Sequence, residues 1–98
     1  MGGLTRARQI RDLCVSLGLP MNVEDSWGGE IATAAIAHLA HSTPAEFQFQ
    51  SSAFHDYSTV RIADGAPSIK DGYMCANDAP GLGVTADMSQ LGEPVFTT

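Results

Sequence analysis

Basic residues are scarce in this sequence. Its five Lys and Arg residues stand against eleven Asp and Glu residues, which gives a net charge of −6. Recognition of phosphate requires a basic surface, so this composition argues against a nucleic-acid partner. Three of the basic residues, Arg6, Arg8 and Arg11, have a spacing that places them mostly on the solvated side of one helix.

Cysteines and long apolar runs are also few. Cys14 and Cys75 lie far apart, a spacing that forms no metal-binding clip and gives little support to a disulfide. Cys14 falls on an apolar helical stripe, which favours a small buried thiol. No window approaches the ~18 consecutive apolar residues of a membrane-spanning helix, and no apolar signal segment follows Met1. We therefore expect no membrane partner and a cytoplasmic location.

The first half of the chain alternates helical and extended patterns. A helix that Thr5 can cap carries apolar residues at helical spacing, and Gly18 ends it. Residues 19–23 form a mainly apolar run, residues 31–41 an alanine-rich helix, and residues 47–50 alternate apolar and polar side chains. This order of helix, strand, helix and strand predicts an α/β fold with a parallel sheet.

The second half, from Ser51 onward, loses helical periodicity and is interrupted by glycines and prolines. Short apolar islands at residues 60–62, 73–74 and 95–96 indicate turns and short strands, which could not form a compact core alone. Two parallel strands would keep unpaired edges, and a helix face would stay uncovered. Closure into a (β/α) barrel supplies both partners, so the chain is expected to be a piece of one.

Four segments resemble, in the same order, parts of the mandelate racemase/muconate lactonizing enzymes of the enolase superfamily. They are residues 2–8 (GGLTRAR), 18–21 (GLPM), 34–40 (AAIAHLA) and 69–84, which contains IKDGYM and PGLGV. The resemblance implies the C-terminal part of a TIM-type barrel (helix six, strand seven, helix seven and strand eight) and an irregular Gly/Pro-rich tail. Residues 1–52 would end the barrel domain, and residues 53–98 would return toward a capping domain outside the chain.

Within this family, residues 24–29 (EDSWGG) and 47–52 (FQFQSS) look most similar to the cis-3-hydroxy-L-proline dehydratases. The resemblance implies a lyase that removes the proton α to a carboxylate and dehydrates this imino acid to an enamine, which tautomerises to pyrroline-2-carboxylate. Enolase-superfamily sites use Mg²⁺ and a lysine or histidine base. The family's metal ligands lie on strands three to five and its usual lysines on strands two and six. The resemblance thus implies that this chain holds no catalytic residue and no metal ligand.

Two departures from the family bear on mechanism. Lys70 matches no catalytic position, and residues 22–25 stand where the racemases of this family carry a histidine. The second departure argues against a two-base mechanism that uses histidine. The resemblance further implies a small amino or imino acid as substrate, a homo-oligomer when full length, and no activity for this chain alone.

The candidate site residues follow the seventh strand. Barrel active sites form at the C-terminal ends of strands, which selects Glu24, Asp25 and Trp27. Asp25 could meet a substrate's ring ammonium, and Trp27 could form an apolar pocket wall. The alternative is a helix cap at Asp25 or Ser26 and a packing role for Trp27.

Three further candidates are Gly28, Gln48 and Gln50. Both glutamines face one way along their strand, into the barrel if the intervening phenylalanines face the helices. They would form hydrogen bonds to a substrate, or be buried amides satisfied by neighbouring strands. Gly28 and Gly29 could let backbone N–H groups approach a carboxylate, and a simple turn explains this pair equally well.

Histidine and serine give weaker candidates. His38 and His41 share a helix away from the strand ends, which favours packing for His38 and a surface or helix-end position for His41. His55 follows strand eight and could approach the pocket mouth. Ser51 and Ser52 have no matching base, so nucleophilic catalysis is not supported.

Two other functions stay open at this point. An isomerase of the same superfamily, either an amino-acid racemase/epimerase or a cycloisomerase, shares the barrel and differs mainly in acids and bases outside this chain. A non-catalytic small protein could instead self-associate through its open sheet edge or pack on another barrel half.

Overall fold

The computed structural model describes residues 2–97, and its first half has the predicted order of elements. These are helix α1 (Gly3–Ser16), strand β1 (Met21–Val23), helix α2 (Gly29–His41), a 3-10 turn (Ala45–Phe47) and strand β2 (Gln48–Ser51). Strands β1 and β2 pair in parallel, with Val23 opposite Ser51. Because a parallel pair needs a crossover, α2 connects the two strands across the sheet face.

Helix α1 begins earlier than predicted. Its N-cap is Gly2, which offers no side-chain cap, and Thr5 lies inside the first turn, so the expectation that Thr5 caps this helix was wrong. The C-terminal end agrees with the prediction, since the helix stops just before Gly18. The apolar side chains of Ile10, Leu13 and Leu17 are exposed, and α1 touches the rest of the fold mainly through α2.

Arg11 departs from the prediction of a solvated arginine trio. Arg11 is 8% exposed, whereas Arg6 and Arg8 are exposed. The Arg11 guanidinium donates from Nη1 to the carbonyl oxygen and the hydroxyl of Ser42 at 2.8 and 2.9 Å, and from Nε to Asp12 at 2.6 Å. Arg11 therefore joins α1 to the C-terminal end of α2, a tertiary contact that helical spacing cannot reveal.

The core is small and centred on α2. Alanines on one face of this helix pack against β1 and the tail, because their short side chains allow close approach of the backbones. The buried apolar residues are Val23, Ala34, Ala37, Ala40 and Ala63. Within residues 2–97, no helix is long and apolar enough to cross a membrane.

The tail contains short elements, of which the 3-10 helix after β2 and the first strand contact α2. They are a 3-10 helix (Phe54–Tyr57), strands β3 (Ala63–Asp64), β4 (Ile69–Lys70), β5 (Tyr73–Met74) and β6 (Thr85–Ala86), and helix α3 (Met88–Leu91). Strand β3 pairs antiparallel with β6, and β4 with β5. Asp71 and Gly72 connect β4 to β5 with φ angles of 51° and 80°, as a tight hairpin turn of the right twist requires.

The short strands of the tail agree only in part with the apolar islands. Residues 73–74 form β5 as expected, whereas residues 60–62 and 95–96 are not in strands. Instead, the Ile62 N–H donates a hydrogen bond to the Glu30 carboxylate, and the Ile62 carbonyl oxygen accepts one from the Asp87 N–H. Two-residue strands are set by such tertiary contacts, so apolar content alone was a poor guide to them.

Candidate functional site

Polar residues gather at the edge where β1 and β2 end. Parallel strands finish at the same edge of a sheet, so the loop after β1 meets the segment after β2. The Ser52 hydroxyl accepts a hydrogen bond from the Asp25 N–H at 2.8 Å and donates to Glu24 Oε1 at 3.1 Å. The Glu24 side chain is exposed at this edge.

Asp25 lies at the same edge and is buried, with 6% exposure. Its carboxylate accepts hydrogen bonds from the Ser26 N–H, the Thr33 hydroxyl and the Phe54 N–H. These donors belong to the loop after β1, to α2 and to the 3-10 helix after β2. The predicted contact of Asp25 with a substrate ammonium stays a prediction, and within the fold this carboxylate joins three segments.

Three aromatic rings form a cluster on the outer side of this edge. Trp27 lies over Phe54 with ring centroids 4.7 Å apart, and Tyr57 completes the group at 6.1 Å from Trp27 and 5.9 Å from Phe54. Trp27 is 69% exposed and Tyr57 is 74% exposed, so the cluster offers apolar ring surface to a molecule at the strand ends. We call these three residues the aromatic cluster.

Phe54 and Tyr57 were missed from the sequence, where only His55 was selected after the eighth-strand segment. The structure buries His55, with 4% exposure, and leaves the outer side of the 3-10 helix to Tyr57. A 3-10 helix of four residues divides inward and outward positions differently from a strand, and its start at Phe54 has no pattern in the sequence. The density of aromatic residues at 54–57 was the available indication.

The three remaining candidates lie at or below the edge. Gln50 is exposed and lies opposite Asn22 of β1, and Gln48 is half-buried opposite Met21. Gly28 is the N-cap of α2, and a Cβ at this position would lie 2.4 Å from the Ala32 Cβ. A side chain at position 28 would therefore collide with the first turn of α2, which favours glycine here independently of any carboxylate near its N–H.

A buried carboxylate, Glu30, lies in the first turn of α2. The residue is 1% exposed, its Oε2 accepts the Ile62 N–H at 2.9 Å, and its Oε1 lies 3.7 Å from Arg61 Nη1. Burial alone would raise the pKa of Glu30, but the N–H groups of Ile62 and of Glu30 itself, with charge from Arg61 and His55, lower it below 4.5. Its place in the first turn would by itself indicate only a favourable interaction with the helix dipole.

The lowered pKa of Glu30 predicts a pH-dependent stability. A carboxyl whose folded pKa lies below its unfolded value stabilises the fold above the unfolded value, here 4.5, and loses this contribution as pH falls through the folded pKa. Below about pH 4.5 the urea midpoint of the wild-type chain should therefore fall more steeply with decreasing pH than the midpoint of Glu30→Gln. Urea midpoints of both proteins measured at decreasing pH test this, and parallel pH profiles would contradict it.

His38 has a role in joining segments. Its Nε2 lies 3.1 Å from the carbonyl oxygen of Leu82, which ties α2 to the turn at residues 80–84. His41 is exposed at the helix end. Residues 2–97 contain no group of three or more His, Cys, Asp or Glu side chains arranged to hold a metal ion, so they do not fit a Mg²⁺ site by themselves.

Comparison with known proteins agrees with this geometry. Residues 1–90 match the family model "Enolase C-terminal domain-like". The chain is 57% identical over 95 residues to a cis-3-hydroxy-L-proline dehydratase of Roseibium aggregatum, covering 97% of this chain and 26% of that protein. It is 33% identical over 92 residues to a D-galactonate dehydratase family member of Enterococcus gallinarum, covering 89% of this chain and 22% of that protein.

Solved structures give the same result. A mandelate racemase/muconate lactonizing enzyme from Roseovarius nubinhibens superposes with a TM-score of 0.91 at 48% identity, covering 97% of this chain and 26% of that one. An enolase superfamily member from the same organism, complexed with magnesium, superposes at 0.90 with 43% identity, covering 98% and 26%. The chain thus spans about a quarter of the length of these relatives. The family match, the identities and the α/β structure lead to one conclusion: this chain belongs to the enolase C-terminal domain-like family, among the mandelate racemase/muconate lactonizing enzymes of the enolase superfamily.

Proposed function

We propose that this chain supplies one wall of the active site of a lyase that dehydrates cis-3-hydroxy-L-proline. The observation that carries the proposal is the 57% identity to a cis-3-hydroxy-L-proline dehydratase over 97% of the chain. That similarity covers the loops at the ends of β1 and β2, which carry Glu24 and the aromatic cluster. A small saturated ring needs an apolar wall beside polar groups, and this edge offers both.

The architectural part of the proposal assigns α1, β1, α2 and β2 to helix six, strand seven, helix seven and strand eight of a TIM-type barrel. Residues 1–52 would end the barrel, and residues 53–98 would return toward a capping domain. Both strands of the parallel pair keep one free edge among the described residues, and α1 exposes Ile10, Leu13 and Leu17. Neighbouring strands and helices of a barrel would cover these groups.

The proposed substrate contacts are divided by chemistry. Trp27, together with its neighbours Phe54 and Tyr57 in the aromatic cluster, would pack against the ring of the imino acid. Glu24 and Gln50 would meet its polar groups, because both side chains are exposed at the strand ends or along the face of β2. We also include Gln48, Gly28 and Asp25 in the wall, the last two through the shape they give to the loop.

Magnesium and the proton-abstracting base would come from outside this chain. One neighbour in the family is a magnesium complex, and enolase-superfamily chemistry uses this ion to stabilise the enediolate. Because residues 2–97 do not fit a magnesium site, the part played by this chain is to bind and orient the substrate and to exclude water from it. The assembled enzyme would be a homo-oligomer whose small-molecule partner is an amino or imino acid.

An activity assay with separate parts tests the proposal. The chain alone, with cis-3-hydroxy-L-proline and Mg²⁺, is expected to form no pyrroline-2-carboxylate above the buffer rate. Mixing it with the three-quarters of the Roseibium relative that it does not cover should restore dehydration, followed by NMR. That complementary part without the chain is the control.

The outcomes separate the candidate functions. Turnover by the chain alone would contradict its inactivity. A mixture that epimerises an amino acid but releases no water would show that the assembled enzyme is an isomerase and not a dehydratase. A mixture with no gain over the complementary part would overturn the proposal that this chain forms a wall of the site.

A further inference from the structure

The hydrogen bonds of Asp25 connect the segments that carry the aromatic cluster. Oδ1 accepts the Ser26 N–H at 2.6 Å, and Oδ2 accepts the Thr33 hydroxyl at 2.5 Å and the Phe54 N–H at 2.9 Å. Ser26 precedes Trp27 in the chain. One carboxylate therefore accepts hydrogen bonds from the backbone next to Trp27 and from the backbone of Phe54.

The third partner of this carboxylate lies on α2. Thr33 has no exposed surface, so its hydroxyl cannot be satisfied by solvent and depends on Asp25. Helix α2 is the most buried element of the fold, with three buried alanines. Asp25 thus joins a loop and a short 3-10 helix to the most buried element of the fold.

The backbone at Trp27 requires such support. Its φ of 62° lies in the left-handed region, which a bulky side chain rarely adopts. A residue held there is strained and persists only when its surroundings determine its conformation. The Asp25 to Ser26 N–H hydrogen bond lies directly before this residue and opposes relaxation of the loop.

We propose that Asp25 is the positioning residue of the aromatic cluster: its buried carboxylate holds the rings of Trp27 and Phe54 in their close, tilted contact. Its importance for substrate binding rests on the proposed function, whereas its effect on the rings does not. The group must be a carboxylate, because all three neighbours are donors. An amide would turn an N–H₂ group toward one of these donors and lose that hydrogen bond.

Near-ultraviolet circular dichroism of the full chain tests this positioning role. Trp27 is the one tryptophan of the sequence, so the band at long wavelength belongs to it. Asp25→Asn should lose most of this band while the far-ultraviolet helical signal is kept, because fixed ring packing is lost before secondary structure. Asp78→Asn makes the same chemical change at an exposed tail position and should keep the band.

Two Thr33 variants keep the test decisive if Asp25→Asn fails to fold. Thr33→Val removes one of the three donors with little change in shape and should lose part of the tryptophan band. Thr33→Ser keeps the hydroxyl donor and should keep the band. An Asp25→Asn chain with the wild-type band would overturn the proposal. The proposal would also be overturned if Asp25→Asn and Thr33→Val both lost the helical signal together with the tryptophan band. That result would mean that Asp25 and Thr33 support the fold as a whole and not the position of the rings.

The assembled enzyme supplies a second readout. With the complementary part of the Roseibium relative, Asp25→Asn should raise KM by roughly tenfold or more with a smaller change in kcat, because the misplaced wall mainly weakens binding. A fall in kcat at constant KM would overturn the positioning role. An assembly that never dehydrates cis-3-hydroxy-L-proline would refute the proposed function, and the tryptophan band would still decide the role of Asp25.

Discussion

Replacing Gly83 with alanine is expected to release the turn at residues 80–84 from the rest of the tail. A Cβ at this position would lie 1.8 Å from the Asn77 Oδ1. Asn77 can move away only by giving up its hydrogen bonds from Nδ2 to the carbonyl oxygens of Gly65 and Gly83, and the bond that its Oδ1 accepts from Ala79. With the left-handed φ of 71°, we expect a loss of about 2–5 kcal/mol.

Gly81→Ala is a matched control for this substitution. Gly81 has a φ of 69°, and a Cβ added to it would meet nothing within 4 Å, so it shares the backbone strain without the collision. It should lose only about 1 kcal/mol. Urea unfolding by far-ultraviolet circular dichroism, at a concentration where gel filtration shows a monomer, compares the two. Equal midpoints for both variants would show that the Asn77 contacts contribute nothing measurable.

Replacing Glu30 with alanine is expected to destabilise the attachment of the tail to α2 by about 2–4 kcal/mol. The substitution leaves the Ile62 N–H without its acceptor and opens a cavity where the carboxyl is 1% exposed. Ile62 also accepts the Asp87 N–H at 2.8 Å, so the disturbance should reach the β3–β6 pair. Glu30→Gln keeps an acceptor for Ile62 and should lose less.

Hydrogen exchange measures this effect at the residue concerned. The Ile62 amide should exchange faster in Glu30→Ala by a factor that follows the lost free energy, on the order of tenfold for each ~1.4 kcal/mol. Glu93→Ala, at an exposed carboxylate of the tail, should leave the Ile62 amide unchanged. An Ile62 amide that exchanges equally in wild type and Glu30→Ala would refute the role assigned to Glu30.

The first half of the fold could be predicted because it depends on local patterns. Helical spacing and Gly18 located α1, and the alanine-rich segment located α2. The motifs GGLT, GLPM, AAIAHLA and PGLGV gave the family, which the family model then confirmed over residues 1–90. The same patterns placed the loop with Glu24 and Trp27 at a strand end, since parallel strands and their connections follow from element order.

The site was predicted less completely because its geometry depends on contacts between distant segments. Asp25 was selected by position, but its partners Thr33 and Phe54 lie 8 and 29 residues away along the chain. The aromatic cluster likewise joins a residue after β1 to two residues after β2. No periodicity within one segment contains such information.

Local patterns were enough to predict the helices and the parallel strands of the first half, and the superfamily, because hydrophobic period, glycine positions and short motifs act over a few residues. The strands of the tail, the burial of polar groups and the contacts between aromatic rings depend instead on how distant segments pack together. Arg11 was expected on a solvated side, and no pattern predicted the burial of Asp25 or Glu30, yet each is buried where a distant segment supplies its hydrogen-bond partner. The physical reason is that a polar group can leave water only when such a partner is present, and the fold alone brings that partner near.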